Sequence, residues 1–242
     1  RVESSGDGGD DTIAAGDGAN TVLGGEGSDT VTTGPDADLI LGDNGVVVYT
    51  DGVASSVSST DGSGSDVIEA GDGANTVIAG LGHDDVTSGT GADLVLGDGG
   101  VVESVDGVIS RVESSGDGGD DTIAAGDGAN TVIAGLGQDD VTTGADDDLV
   151  LGDTGVVTYS SGVMTQIESG SEGDDDEINA GDGHNTVFGG EGSDTITTGT
   201  DADLILGDNG VVEYTDGVAN SVSSTDGSGS DVIEAGDGAN TV

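Results

Sequence analysis

The chain has 242 residues, with 50 acidic side chains against two arginines, and its formal net charge is −48 at pH 7. This charge excludes nucleic-acid binding through phosphate neutralisation, and it opposes contact with an anionic membrane. The absence of cysteine excludes disulfides and thiolate metal sites. No apolar run approaches the ~18 residues of a membrane-spanning helix, so we expect no membrane insertion.

A unit of 55 residues repeats along the whole chain. The stretch Gly-Asp-Gly-Ala-Asn-Thr-Val begins at residue 16 and returns at 71, 126, 181 and 236, with His184 replacing Ala once. A fixed period indicates an array of one structural unit, whereas a disordered chain has no reason to keep it. Both ends fall inside a unit, which favours a segment of a longer array. We predict one continuous solenoid made of a partial unit 1–5, units 6–60, 61–115, 116–170 and 171–225, and a partial unit 226–242.

Each unit opens with four nonapeptides, at 6–14, 15–23, 24–32 and 33–41 in the first unit. Their nine places follow one pattern: usually Gly at places 2 and 4, Asp or Asn at place 6, and Ile or Val at place 8. The first six places are rich in turn formers, and the last three predict a short strand with one inward side chain. Two nonapeptides would close a coil, and stacked coils would form two parallel sheets.

Residues 42–60 fall outside the nonapeptide pattern. One interpretation is a hairpin that turns at Asp51-Gly52 and projects from the rod. The other is a third coil, with Val47 and Val57 as core rungs. Because 55 divides as 18, 18 and 19, we favour the third coil. The predicted fold is all-β: a right-handed parallel β-roll or β-solenoid with about 18 residues per coil and three coils per unit. Its roughly 13 coils would form a rod on the order of 60 Å long.

The fourth nonapeptide is apolar on both faces, as Leu39-Ile40-Leu41 shows. Its outward leucines would form a stripe along the rod. Either the neighbouring Val-rich segment covers this stripe, or the stripe contacts another rod or a partner. We expect self-association into fibres or bundles, for which the Leu39 and Leu41 stripe is a candidate surface.

Place 6 is the candidate metal position. Stacked coils would align these side chains in two columns, and carboxylates less than about 10 Å apart repel one another unless cations lie between them. Carboxylates combined with turn carbonyls suit calcium, whereas magnesium fits less well and zinc has no ligand set. Asp17, Asp43 and their equivalents are either partial or indirect metal ligands or simple turn residues, and we favour turn residues. We interpret His83 and His184 as exposed loop residues.

Residues 24–32, Gly-Gly-Glu-Gly-Ser-Asp-Thr-Val-Thr, resemble the nonapeptide of the repeats-in-toxin (RTX) family of calcium-binding β-rolls. The resemblance implies calcium held between consecutive turns, folding triggered by calcium, and secretion in an unfolded state. Place-6 side chains then become calcium ligands together with glycine-turn carbonyls. The edge that pairs Asn20 with Asp38 should hold calcium less tightly than the edge that pairs Asp11 with Asp29. The implied ligands are Asp11, Asp29, Asp38, Asp66, Asp84, Asp93, Asp121, Asp139, Asp148, Asp176, Asp194, Asp203 and Asp231, with Asn20, Asn75, Asn130, Asn185 and Asn240.

Near-perfect repetition without a unique residue cluster favours a structural role and no enzymatic activity. We expect a calcium-stabilised repeat segment of a secreted filament, surface-layer or extracellular-matrix protein, located outside the cell or on its surface. The alternatives are a spacer of a large adhesin, an ice-binding module, or the calcium-binding tail of a secreted hydrolase or toxin. Ice binding needs an unbroken row of outward threonines. Thr30 and Thr32 begin such a row, but Asp85 and Asp140 interrupt it.

Overall fold

The protein is built from β-strands. The computed structural model describes residues 1–6, 8–225 and 227–242, and within these ranges it contains strands and turns but no helix. No described segment therefore forms a helix of the length and apolarity that a membrane crossing requires.

The strands follow the same order in every unit. Residues 1–60 form β1 Val2–Glu3, β2 Thr12–Gly16, β3 Thr21–Leu23, β4 Thr30–Thr33, β5 Leu39–Leu41, β6 Gly45–Thr50 and β7 Val53–Ser59. Residues 61–115 form β8 Val67–Gly71, β9 Thr76–Ile78, β10 Asp85–Ser88, β11 Leu94–Leu96, β12 Gly100–Val105 and β13 Val108–Ser114. Residues 116–170 form β14 Thr122–Gly126, β15 Thr131–Ile133, β16 Asp140–Thr143, β17 Leu149–Leu151, β18 Gly155–Ser160 and β19 Val163–Ser169. Residues 171–242 form β20 Glu177–Asn179, β21 Thr186–Phe188, β22 Thr195–Thr198, β23 Leu204–Leu206, β24 Gly210–Thr215, β25 Val218–Ser224 and β26 Val232–Ala235.

Two parallel sheets face each other and form what we call the roll. The first sheet has the order β2-β4-β8-β10-β14-β16-β20-β22-β26, and the second runs β3-β5-β9-β11-β15-β17-β21-β23. Place-8 residues pair with one another, as in Ile13 with Val31 and Val31 with Ile68. From both sheets they point inward and form the core of the roll. The predicted all-β parallel solenoid with a place-8 core is confirmed.

Residues 42–60 form a hairpin, and the predicted third coil is wrong. Strands β6 and β7 are antiparallel, with Val47 opposite Val57. The chain turns at Asp51 and Gly52, where φ is 53° and 86°. Two successive positive φ values match the twist of a tight hairpin, and Asp-Gly adopts them readily. The length of 19 residues resembles one coil only by coincidence.

The hairpins join into a third, antiparallel sheet, which we call the hairpin sheet. Its order is β1-β6-β7-β12-β13-β18-β19-β24-β25, and successive hairpins pair through contacts such as Val57 with Val102. This sheet packs on the outer face of the second parallel sheet and encloses a second core that includes Leu41, Val47 and Leu96. The outward leucines are therefore covered by the neighbouring Val-rich segment. The alternative role for the Leu39 and Leu41 stripe, as a contact between rods, is wrong, because Leu41 is fully buried and Leu39 packs against the same core.

Each unit consequently adds two coils and one hairpin. Strand pairing along the first parallel sheet steps by 18 residues and then by 37, because the hairpin lies between the second coil and the next unit. At about 4.8 Å per rung, the nine strands of this sheet span roughly 40 Å. The expected length of about 60 Å counted a third coil that does not exist.

Candidate metal edges of the roll

The place-6 side chains line the two edges where the chain passes between the parallel sheets. They are brought together as predicted, with Asp11 beside Asp29 on one edge and Asn20 beside Asp38 on the other. What we call the aspartate edge contains Asp11, Asp29, Asp66, Asp84, Asp121, Asp139, Asp176, Asp194 and Asp231. What we call the mixed edge contains Asn20, Asp38, Asn75, Asp93, Asn130, Asp148, Asn185, Asp203 and Asn240.

A ladder of hydrogen bonds runs along each edge. On the aspartate edge, the N–H of Asp29 donates to Oδ1 of Asp66 at 2.7 Å, and the N–H of Asp66 donates to Oδ1 of Asp84 at 2.7 Å. Eight such bonds of 2.7 to 3.1 Å connect successive aspartates among the described residues. One carboxylate oxygen of each aspartate after Asp11 is thereby used by the backbone.

The second oxygen of most of these carboxylates has no partner. On the aspartate edge, Oδ2 is buried and accepts no hydrogen bond from any described residue at Asp29, Asp84, Asp121, Asp139, Asp176 and Asp194. The same holds, within the described chain, at Asp38, Asp93, Asp148 and Asp203 of the mixed edge. A buried carboxylate oxygen without a partner costs several kcal/mol, on the order of the penalty for an unpaired buried charge, so these oxygens call for a counter-ion.

Backbone carbonyl oxygens lie close to the unpaired Oδ2 atoms of the aspartate edge. A Cβ built at Gly24 would collide with Oδ2 of Asp29 and with the carbonyl oxygen of Gly42. The two oxygens therefore border a single space that exists only because residue 24 lacks a side chain. A Cβ at Gly152 would likewise meet Oδ2 of Asp176 and the next turn's carbonyl. Carboxylate and carbonyl oxygens in irregular geometry are the ligands that calcium prefers.

Burial and neighbouring carboxylates raise the pKa values of several aspartates on the aspartate edge. Burial raises the pKa of Asp121 to about 9. The backbone N–H of Asp84 lowers that pKa, and the carboxylates of Asp84 and Asp139 raise it further. Burial also raises the pKa of Asp84 to about 8 and that of Asp176 to about 9. Without cations, these three aspartates therefore resist ionisation at neutral pH.

A further set of aspartates lies at the base of the hairpins. Asp43, Asp98 and Asp153 are at most 2% exposed. Oδ2 of Asp43 accepts the N–H of Leu81 at 2.6 Å, while Oδ1 is buried without a partner among the described residues. Burial raises the pKa of Asp43 and Asp98 to about 7, and that of Asp153 to about 8.

The sequence interpretation treated Asp43 as a turn residue and missed its place in the buried acidic edge. Its recurrence directly after Leu-Gly in each unit was the available signal. Asp17 and its equivalents do behave as turn residues. Asp72, for example, is exposed, and hydrogen bonds from the Thr90 hydroxyl and N–H lower its pKa.

Side chains alone do not complete a metal site. In residues 1–6, 8–225 and 227–242, no group of three or more His, Cys, Asp or Glu side chains is arranged to hold an ion. His184 is exposed and lies 3.4 Å from Asp147 at the surface, so it is not part of the buried ladder. Any ion at the edges must therefore take part of its shell from backbone carbonyls, as calcium does.

The chain matches the family model described as the RTX calcium-binding nonapeptide repeat. The match covers residues 5–45, 60–100, 115–150, 179–211 and 225–242. The chain belongs to the RTX family. RTX nonapeptide repeats bind calcium ions, and the orphaned carboxylate oxygens and glycine-lined carbonyls of the aspartate edge fit that ion. The hairpins fall largely between the matched RTX segments. No curated protein and no solved structure was matched.

Proposed function

We propose that this RTX segment is a calcium-stiffened structural rod of a secreted filament, surface layer or extracellular matrix, with no catalytic role. The main support is that every unit repeats the same two coils, hairpin and acidic ladders. All three sheets run through successive units without a break. Such a rod provides length, stiffness and many equivalent ion sites.

Calcium is proposed to act through the place-6 side chains of the two edges. In calcium-poor cytoplasm, the charge of −48 would keep the chain expanded. Outside the cell, calcium would neutralise the edges and bring the unpaired Oδ2 atoms and turn carbonyls together. Because such a site does not exist in the unfolded chain, the free energy of binding contributes to folding.

The outer face of the first parallel sheet argues against ice binding. One row along this face runs through Thr12, Thr30, Val67, Asp85 and Thr122 and continues with Asp140 and Glu177. Charged side chains therefore interrupt the threonines in three places. The regular rod also suits the spacer of a large adhesin, where a ligand-binding domain would lie elsewhere.

Calcium-dependent folding tests the proposal. Circular dichroism and small-angle X-ray scattering should show an expanded coil in chelator and a β-rich rod about 40 Å long in millimolar calcium. Magnesium and sodium chloride of equal ionic strength serve as controls for screening, and both should leave the chain largely unfolded. A compact rod in chelator, or equal folding in sodium chloride, would contradict a calcium-dependent structural role.

A further inference from the structure

The mixed edge has asparagine at every second rung, and this residue takes the same part in the backbone ladder as aspartate. Oδ1 of Asn75 accepts the N–H of Asp38 at 2.9 Å, and Oδ1 of Asn130 accepts the N–H of Asp93 at 3.0 Å. Eight bonds of 2.6 to 3.0 Å continue this ladder through the described residues. The two edges therefore differ only in the second atom of these side chains.

That second atom, Nδ2, donates to carbonyls of its own turn. In Asn75 it lies 3.2 Å from the carbonyl oxygen of Gly71 and 3.2 Å from that of Gly73. The reverse amide orientation would set Oδ1 against these oxygens and leave the N–H of Asp38 without its acceptor, so the hydrogen bonds fix the amide from both sides. Donation to turn carbonyls recurs at Asn20, Asn130 and Asn185.

The contrast with aspartate is direct. Oδ2 of Asp84 on the aspartate edge has no partner in the described chain, whereas both polar atoms of Asn75 are used. Asp93 of the mixed edge also has an unpaired Oδ2, so on that edge unpaired carboxylate oxygens occur only at every second rung. The amide hydrogens give the turn carbonyls the positive partner that a cation would otherwise supply. Once those carbonyls accept from Nδ2, they have one lone pair fewer for a metal ion.

Charge spacing agrees with this difference. Carboxylates follow one another at every rung of the aspartate edge, about 4.8 Å apart, but at every second rung of the mixed edge, about 10 Å apart. The mixed edge thus has less repulsion for an ion to relieve.

We propose that the asparagine amides take the place of calcium on the mixed edge, so that calcium binds along the aspartate edge alone. This inference rests on the proposed role of place-6 aspartates as ligands. The roll then has two unlike edges: amide hydrogen bonds occupy every second rung of the mixed edge, and ions occupy the aspartate edge.

The number of bound ions tests this assignment. Isothermal titration and equilibrium dialysis of the chain with calcium should find no more ions than the eight gaps between successive aspartates of the aspartate edge. Replacing Asn20, Asn75, Asn130, Asn185 and Asn240 by Asp should about double that number, because the mixed edge would then have a carboxylate at every rung. Stoichiometry near twice eight in the unchanged chain, or no gain in the variant, would overturn the proposal.

A matched variant controls for added charge. Ala19→Asp, Ala74→Asp, Ala129→Asp, His184→Asp and Ala239→Asp place the same number of carboxylates one residue earlier, at exposed positions. This variant should bind no additional tight ions. If it gains as many as the asparagine variant, the effect is general electrostatic attraction, and the proposal fails.

Tyrosine-sensitised terbium emission locates the ions. The Tyr49 hydroxyl lies 2.8 Å from that of Thr21, which follows Asn20 on the mixed edge, and Tyr159 contacts Thr131 next to Asn130. The tyrosines are therefore close to the mixed edge and far from the other. Terbium should give little sensitised emission with the unchanged chain and several-fold more with Asn130→Asp, a single change that serves even if the fivefold variant fails to fold.

Strong emission from the unchanged chain, abolished by Asp148→Asn, would place ions on the mixed edge and refute the inference. Calcium-induced folding of the unchanged chain is measured separately and would stand in that case. Failure of this assignment is thus distinguishable from failure of the structural role.

Discussion

The roll and the hairpin sheet are made by one chain but are stabilised in different ways. In the roll, glycine-rich turns produce two edges lined with buried acids, and each strand contributes a single Val or Ile to the core. In the hairpin sheet, polar–apolar alternation and tight turns close the structure with hydrogen bonds and apolar contacts, and no acidic ladder is present in its described residues. An ion requirement thus belongs to the turns of the roll and not to β-structure in general.

The two layers also depend on each other. The roll alone offers a narrow core, and the hairpins alone would be a thin sheet with one apolar face. Packing buries Leu41, Ile78 and Leu96 of the roll against Val57 and Val102 of the hairpins. At about 25 cal/mol per Å² of apolar surface, this second core offsets part of the ordering cost of the glycine-rich turns.

The largest expected effect is a pH dependence of stability, which arises from the acidic edges of the roll and not from the hairpin sheet. The folded-state pKa values of Asp84, Asp121 and Asp176 lie well above the model-peptide value of 3.8, so the folded chain binds more protons than the unfolded chain between about pH 4 and pH 8. Stability without calcium should therefore fall as pH rises through this window.

Circular dichroism in chelator at pH 4, 6 and 8 measures this trend: the calcium-free chain should have its highest β-content at pH 4 and be largely unfolded at pH 8. In saturating calcium the trend should reverse, because protons compete with the ion for the same oxygens. A β-content in chelator that rises with pH would show that the edges are not strained by charge, and the contrast between the layers would be lost.

The next effect tests the contact between the layers. Leu96 is fully buried between the second parallel sheet and the hairpins. Leu96→Ala should lower the free energy of unfolding by about 2–5 kcal/mol in saturating calcium, because it leaves a cavity in the second core. Val105→Ala, at a position 63% exposed near a hairpin tip, is the control and should change stability by less than about 0.5 kcal/mol. Equal effects in denaturant unfolding would mean that the hairpin sheet is not packed on the roll.

The smallest effect is confined to the hairpin turn. Gly107 has φ of 79° after Asp106 at 53°, so Gly107→Ala should cost about 1 kcal/mol from the strained left-handed conformation. The calcium concentration at half-saturation, measured by titration, should stay unchanged because the hairpin turns lie next to the mixed edge and not next to the aspartate edge. A large shift in calcium affinity would show that the hairpins control the ion sites.

The sequence allowed the roll to be predicted because its periodicity is local. Place 8 fixed the core, and place 6 fixed both edges, including the pairing of Asp11 with Asp29. Each nonapeptide specifies one core position and one edge position, and the stacking of coils repeats both along the roll. The metal role of the individual place-6 residues remains a prediction.

The hairpin, the cover of the leucine stripe and the burial of Asp43 could not be predicted from the nine-residue period alone. Residues 42–60 have nearly the length of a coil, and only the Asp51-Gly52 turn and the alternation around Val47 distinguished a hairpin from it. Cover of the leucine stripe by the Val-rich segment was one of two alternatives, and the hairpin decides between them because it lies over the second sheet. Asp43 was missed since its burial arises where the chain leaves the roll, at a junction that no nonapeptide describes.

The insertion of one hairpin after every two coils has a geometric consequence. Two rungs of the roll and the two strands of a hairpin each advance by about 10 Å, so both layers grow at the same pace. The roll and the hairpin sheet therefore stay in register however many units are added. Removal of a single 18-residue coil would break that match and shear one layer against the other, so the array is free to lengthen or shorten only by whole 55-residue units.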